Sequence, residues 1–263
     1  DEIYIDAKAY FLIDSQTGRV LAEKNSNEKR AIASLTKIMT AVIALEHGDL
    51  NSIVKVSPKA AAVGGSSFWL KSGDELPLED MLYGLLLPSG NDAAVAIAEH
   101  IAGSIENFAS LMNYKALDIG AYNTRFKNPH GLDEEGHYST ARDIAKIAQY
   151  AWSISKFREI VQTKEKSIQR GNFVRNIYNT NRLLWSFEGA NGIKTGYTGK
   201  AGRCLVASAD KDGLQLISVV LGARDRFDSS YKLLTYVYKN FKRRLLFNKG
   251  QVLQVLQVKN GIK

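Results

Sequence analysis

The sequence predicts an α+β protein: a central antiparallel sheet flanked by helices, with a mostly helical lobe inserted between its strands. Three observations point there. Hairpin patterns stand near both ends of the chain, helical periodicity fills the middle, and 263 residues that are 45% hydrophobic and 24% charged can bury a core as one large domain or two close lobes.

Residues 9–14 are apolar and partly β-branched, Ser15-Gln-Thr-Gly18 is turn chemistry, and residues 19–23 return, which predicts a hairpin. From Ser34 to Glu46 a helical pattern puts Ile38, Ala41, Val42 and Leu45 on one face, with His47-Gly48 as its stop. Helices are expected from Pro77 to 85, from Asp92 to 101 and over 105–120, and Thr140 caps another running to about 151. The last third returns to strands at 192–197, 203–208 and 214–221, with Asp212-Gly213 as a hairpin turn, and Asp228 is expected to cap a closing helix. The expected division is a sheet lobe at about 1–57 and 152–245, a helical lobe at about 58–151, and a strand within 246–263 that opens a further β domain.

Lys and Arg exceed Asp and Glu to give a net charge of +8. A nucleic acid, an anionic cell envelope or an acidic substrate is compatible with that balance, and the basic run at 239–244 is read as a solvated helix end. One cysteine, Cys204, excludes an intrachain disulfide and reads as a small buried side chain. No apolar run reaches the ~18–20 residues that span a bilayer, and residues 1–4 lack the pattern of a signal peptide. The four histidines show no paired helical metal-ligand spacing, and there is no phosphate loop or dinucleotide fingerprint, so neither a metal nor a cofactor is expected.

The chemistry lies in three short stretches that occur in one order: Ser34-Leu-Thr-Lys37, Ser89-Gly-Asn91 and Lys194-Thr-Gly196. Ser-x-x-Lys occurs six times and says little alone, but Ser34 opens an apolar helix, so Lys37 lies one turn on, on the hydroxyl's face. A serine hydroxyl needs a base to attack an amide, and lysine serves only when burial or a nearby cation keeps it neutral. Ser89 and Asn91 sit on a tight loop after an apolar approach, where one relays a proton and the other donates to a carbonyl while accepting from Lys37. Lys194-Thr-Gly196 lies on a strand whose edge admits an extended peptide, with Gly196 permitting close backbone approach. Separately, each stretch reads better as a helix cap, an ordinary turn or an exposed strand end. Together they supply nucleophile, base, proton relay and carboxylate grip.

The ordered set resembles the signature of class A β-lactamases and penicillin-binding proteins. Its extensions Ala31-Ile-Ala-Ser-Leu-Thr-Lys-Ile-Met-Thr40, Leu87-Pro-Ser-Gly-Asn-Asp-Ala93, Asn128-Pro-His-Gly-Leu-Asp133 and Gly192-Ile-Lys-Thr-Gly-Tyr-Thr198 are similar to the low-molecular-mass penicillin-binding proteins, within them the serine-type D-alanyl-D-alanine carboxypeptidases of the S11 kind. The resemblance covers residues 6 to 245 and implies a β-lactamase/transpeptidase-like fold with the active site between the lobes. It implies removal of the terminal D-alanine from peptidoglycan pentapeptides at the cell envelope, outside the cytoplasm, and acylation by β-lactam antibiotics, with no nucleic-acid partner. Ser34 would be acylated, Lys37 its base, and Ser89 and Asn91 would pass protons and orient substrate. Lys194 and Thr195 would bind the carboxylate, with Gly196 and Tyr197 beside it and Arg226 nearby. The N–H groups of Ser34 and Tyr197 would form an oxyanion hole, typically ~3–4 kcal/mol per donor. Family members usually continue into an all-β domain and a membrane-binding helix, which leaves membrane attachment to segments outside this chain. The rival readings are a β-lactamase, a non-catalytic sensor of penicillin or peptidoglycan, and a cross-link endopeptidase. The β-lactamase reading would use Glu188-Gly-Ala-Asn191, which sits so close to Lys194 that it reads as coincidence.

Overall fold

Alternation of side chains along the strands creates two apolar faces, and the architecture follows from covering both. The computed structural model describes residues 3–242, 250–252 and 254. Strands β1 (Ala9–Asp14) and β2 (Val20–Lys24) form the N-terminal hairpin, and a 3₁₀ turn (Ala33–Leu35) leads into α1 (Thr36–His47). β3 (Ile53–Lys55), α2 (Pro58–Ala62) and β4 (Glu75–Pro77) come next, β3 pairing with β4. Five helices follow: α3 (Leu78–Leu86), α4 (Asn91–Ala102), α5 (Ile105–Ile119), α6 (Ala141–Ser153) and α7 (Ser155–Gln162). A second small hairpin, β5 (Glu165–Arg170) with β6 (Phe173–Tyr178), and the short α8 (Leu183–Ser186) precede β7 (Ala190–Thr198), β8 (Gly202–Lys211), β9 (Leu214–Ala223) and α9 (Arg226–Asn240).

The main sheet is antiparallel, in the order β2-β1-β9-β8-β7. On one face Ala9, Phe11, Val206, Ile217 and Val219 join a core that runs without a break through α1, α3, α4, α5 and α6. On the other, Leu12, Leu205, Leu216 and Val220 pack against Leu233, Leu234 and Val237 of α9. α1 is wholly buried over Thr36–Ala44, so it is the shared axis of the helices rather than a surface element.

Three local expectations are corrected. The closing helix is capped by Asp225, whose carboxylate accepts from the N–H groups of Phe227 and Asp228, and Asp228 falls inside the first turn. α4 begins at Asn91, one residue earlier than expected. Ser34 sits in the 3₁₀ turn just before α1 rather than within it. The β3–β4 and β5–β6 pairs were not expected: β3 and β4 are three residues each, β5 is mainly polar, and β6 is largely exposed. The β5–β6 hairpin reaches back to the helical side, because the Arg170 guanidinium donates to the carbonyls of Phe68 and Trp69. We propose that the division near residues 58 and 151 separates two lobes sharing one core. The strand expected within 246–263 lies outside the described residues, apart from 250–252 and 254.

Candidate active site

The nucleophile turn is built by close approach. Ala33, a non-glycine residue, holds φ +50, a conformation that typically costs ~1–3 kcal/mol and persists only when its surroundings impose it. The loop at 128–132 presses against this turn. Gly131 has φ +90, and a Cβ there would lie 1.9 Å from the Ala33 carbonyl oxygen, so no other residue fits. Asn128 straps the loop, accepting from Gly131 N–H and donating to the Leu132 carbonyl.

That packing delivers a carbonyl to Lys37. Its Nζ lies 2.9 Å from Ser34 Oγ, 2.6 Å from Asn91 Oδ1 and 2.9 Å from the His130 carbonyl oxygen. Lys37 is fully buried. Burial, and then the charge of Lys194, holds its pKa well below the usual lysine value against a smaller opposing pull from Asp92. Buried beside a second lysine and without a carboxylate partner, this amine is set up to be neutral. Its two N–H groups then serve the two carbonyl oxygens, and its lone pair faces the Ser34 hydroxyl.

The second stretch turns sharply between α3 and α4. Ser89 holds φ +66 and is buried, and its Oγ has no hydrogen-bond partner. Asn91 donates from Nδ2 to the Gly64 carbonyl at 2.7 Å while accepting from Lys37. Asp92 beside it is buried and accepts from Ser67 Oγ and from the N–H groups of Phe68 and Leu70, fixing the loop that carries Gly64.

The third stretch lies on β7, the outermost strand in the sheet order. A Cβ at Gly196 would come 3.2 Å from the Ser34 backbone nitrogen, so strand and nucleophile turn are in direct contact. Lys194 is buried, donates to the Thr195 carbonyl at 3.0 Å, and has its pKa pushed down to about 7 by burial and then by Arg226. Thr195 Oγ1 lies 2.6 Å from Thr180 Oγ1. Arg226 donates to the Gly196 carbonyl at 2.8 Å, and Tyr197 is exposed beside it.

All nine residues singled out from the sequence therefore fall around one locus. Sequence reasoning did not find Thr180, the His130 carbonyl, the Gly64 carbonyl or the Asp92 anchor, whose partners are brought together by folding. His130 and His137 are structural groups. Each accepts a backbone N–H at Nδ1, His137 Nε2 then donates to Thr36 Oγ1 at 2.8 Å, and burial holds their pKa values down to about 3 and about 4. The Glu188-to-Asn191 element is spent elsewhere: Glu188 pairs with Lys211, and Asn191 bonds Ser208 and Gln215. A similar triplet earlier in the chain, Lys71-Ser-Gly73, is an exposed turn. No cluster of three metal-ligating side chains occurs among the described residues.

A family model described as D-alanyl-D-alanine carboxypeptidase, peptidase S11, matches residues 1–225. The chain is 41% identical over 269 residues to the D-alanyl-D-alanine carboxypeptidase DacF of Bacillus subtilis, covering 99% of this chain and 69% of that protein. It is 44% identical over 260 residues to DacC of Escherichia coli, covering 90% of this chain and 62% of that one. It thus spans about two thirds of the length of these curated relatives. The solved Streptomyces K15 DD-transpeptidase superposes with a TM-score of 0.86 at 32% identity, over 91% of this chain and 99% of that one. The D-alanyl-D-alanine carboxypeptidase DacD of Francisella tularensis gives 0.86 at 32% identity, over 94% and 74%. The fold shared with these DD-peptidases is the β-lactamase/transpeptidase fold.

Proposed function

Because the chain belongs to the D-alanyl-D-alanine carboxypeptidase family of serine hydrolases, we propose that it removes the terminal D-alanine of peptidoglycan pentapeptides through an acyl-enzyme on Ser34, and that β-lactams acylate the same oxygen. One observation carries the assignment: the buried, carboxylate-free Lys37 amine 2.9 Å from Ser34 Oγ.

In this reading the substrate's terminal carboxylate docks on Lys194 and Thr195, and the scissile carbonyl meets the N–H groups of Ser34 and Tyr197. Lys37 takes the Ser34 proton as Oγ adds to the carbonyl carbon. The proton passes through Ser89 to the departing amine as the peptide bond breaks, which gives the unpartnered Ser89 hydroxyl a purpose. Water, activated by the regenerated Lys37 amine, then releases the shortened peptide and restores Ser34. The Asn91 amide orients both amine and substrate. Arg226, bonded to the Gly196 carbonyl, sets the grip strand's position and adds positive potential. The residues from 1 to about 245 are the catalytic part, and the place of action is the cell envelope outside the cytoplasm.

Release of D-alanine from a peptide ending in D-Ala-D-Ala, with one penicillin adduct by intact mass mapping to Ser34, is the expected result. An adduct on another serine, or no release, overturns the reading. Normal acylation without release indicates a sensor, and rapid penicillin turnover a β-lactamase.

A further inference from the structure

Beside the carboxylate grip lies a cavity of about 620 Å³ walled by Arg182, Arg203, Arg224 and Arg226, with Thr180 and Asp225 among its other lining residues. None of these four guanidinium groups is ion-paired with a carboxylate among the described residues. Asp225, the one acid lining the cavity, already caps α9 by accepting from two backbone N–H groups. Arg203 donates to the Arg224 carbonyl, so the bond between these two walls neutralises no charge. Arg226 Nε is buried without a partner, and the charges of Arg203 and Arg182 add to burial in lowering that guanidinium's pKa. Four cations share the cavity with the single Asp225 carboxylate and form no ion pair with it, and this excess of positive charge is an unfilled demand for an oxyanion.

Two contacts tie the cavity to the reaction: Thr180 touches Thr195, and Arg226 touches the Gly196 carbonyl. With the terminal carboxylate on Lys194 and Thr195, the substrate group nearest the cavity is the residue about to leave. We propose that this cavity is a specificity subsite for the leaving residue's side chain, and that it favours an acidic one. The inference rests on the function proposed above.

The test compares kcat/KM for three peptides, ending in D-Ala-D-Ala, D-Ala-D-Glu and the isosteric D-Ala-D-Gln, in the unaltered chain and in an R203Q/R224Q variant. The expected result is a D-Glu over D-Gln preference of about tenfold or more, the size of a charge-assisted hydrogen bond, that shrinks with added salt. The variant loses that preference and keeps its D-Ala-D-Ala rate. Equal rates for D-Glu and D-Gln in the unaltered chain, or a preference that survives in the variant, overturn the subsite while D-alanine release still stands. No release from any of the three peptides strikes the underlying function instead.

Discussion

The helix side and the strand side of the cleft each bury one lysine, and the two are furnished differently. Lys37, on α1, is surrounded: a hydroxyl and two carbonyl oxygens fill its coordination. Lys194, on β7, has one hydrogen-bond partner among the described residues, its neighbour's carbonyl, which leaves donors unused. The first arrangement holds an amine still, while burial and the charge of Lys194 favour loss of its proton. The second leaves a cation waiting for an anion that the protein does not supply. Two residues of one type, both cut off from water, are separated into base and anchor by what surrounds them: the charge of Lys194 bears on Lys37, and Lys194 keeps donors free for an anion.

The largest expected effect tests the first half of that contrast. Lys37→Met should slow Ser34 acylation by about 10³–10⁴-fold, the upper range for losing a positioned base, with the fold intact by circular dichroism. Lys194→Met should cost about 10²-fold, mainly in KM or in the capture of a carboxylate-bearing β-lactam, and little with an inhibitor esterified at that carboxylate. Equal losses for free acid and ester would erase the distinction between base and anchor.

Proton linkage sharpens it further. Lys37 must be neutral, so acylation rises as pH climbs through its lowered pKa. Lys194 must be charged, and its pKa of about 7 makes carboxylate binding weaken as pH rises through that value. Measured kcat/KM should therefore trace a bell whose alkaline limb lies near pH 7. In kcat that limb should move up, because a bound carboxylate favours the ammonium. A flat profile between pH 5 and 9 would contradict both roles. Ser89→Ala should cost roughly 10-fold to 10²-fold in acylation, as expected for a proton relay.

The smallest effect is on stability. Lys194 titrates below its unfolded value of 10.5, so the folded state binds fewer protons between about 7 and 10.5, and stability should rise with pH across that window. Lys194→Met removes the buried charge and should raise Tm at pH 6 by a few degrees, read by calorimetry. An unchanged or lower Tm would mean that the ammonium is better solvated than its burial implies.

How much of this the sequence carried depends on the range of the interaction. Ser34 and Lys37 are three residues apart, and helical geometry alone joins them. The strand of Lys194 was legible from Ile193 and Tyr197 on either side of the motif, and the next hairpin from the Asp212-Gly213 turn between β8 and β9. The Thr180–Thr195 contact, the His130 carbonyl and the Asp92 anchor were invisible, since each partner comes from a loop placed by the fold, up to 93 residues away in the case of Lys37 and His130. The β5–β6 hairpin escaped for another reason. β5 is mainly polar, the apolar Phe173, Val174 and Tyr178 of β6 are exposed, and the hairpin's attachment runs through Arg170 and two backbone carbonyls, so no buried apolar alternation announces it. The cap of α9 moved from Asp228 to Asp225 because two acids near a helix start fit the same pattern, and the sequence does not rank them.

The neutral amine at Lys37 is the point on which the rest depends, and it is open to direct observation. In ¹⁵N-lysine-labelled protein, with the Lys37 Nζ signal assigned by its loss in Lys37→Arg, a pH titration should show the amine losing its proton with a midpoint well below 10.5. An ammonium signal that persists through neutrality and titrates near 10.5 would contradict the account.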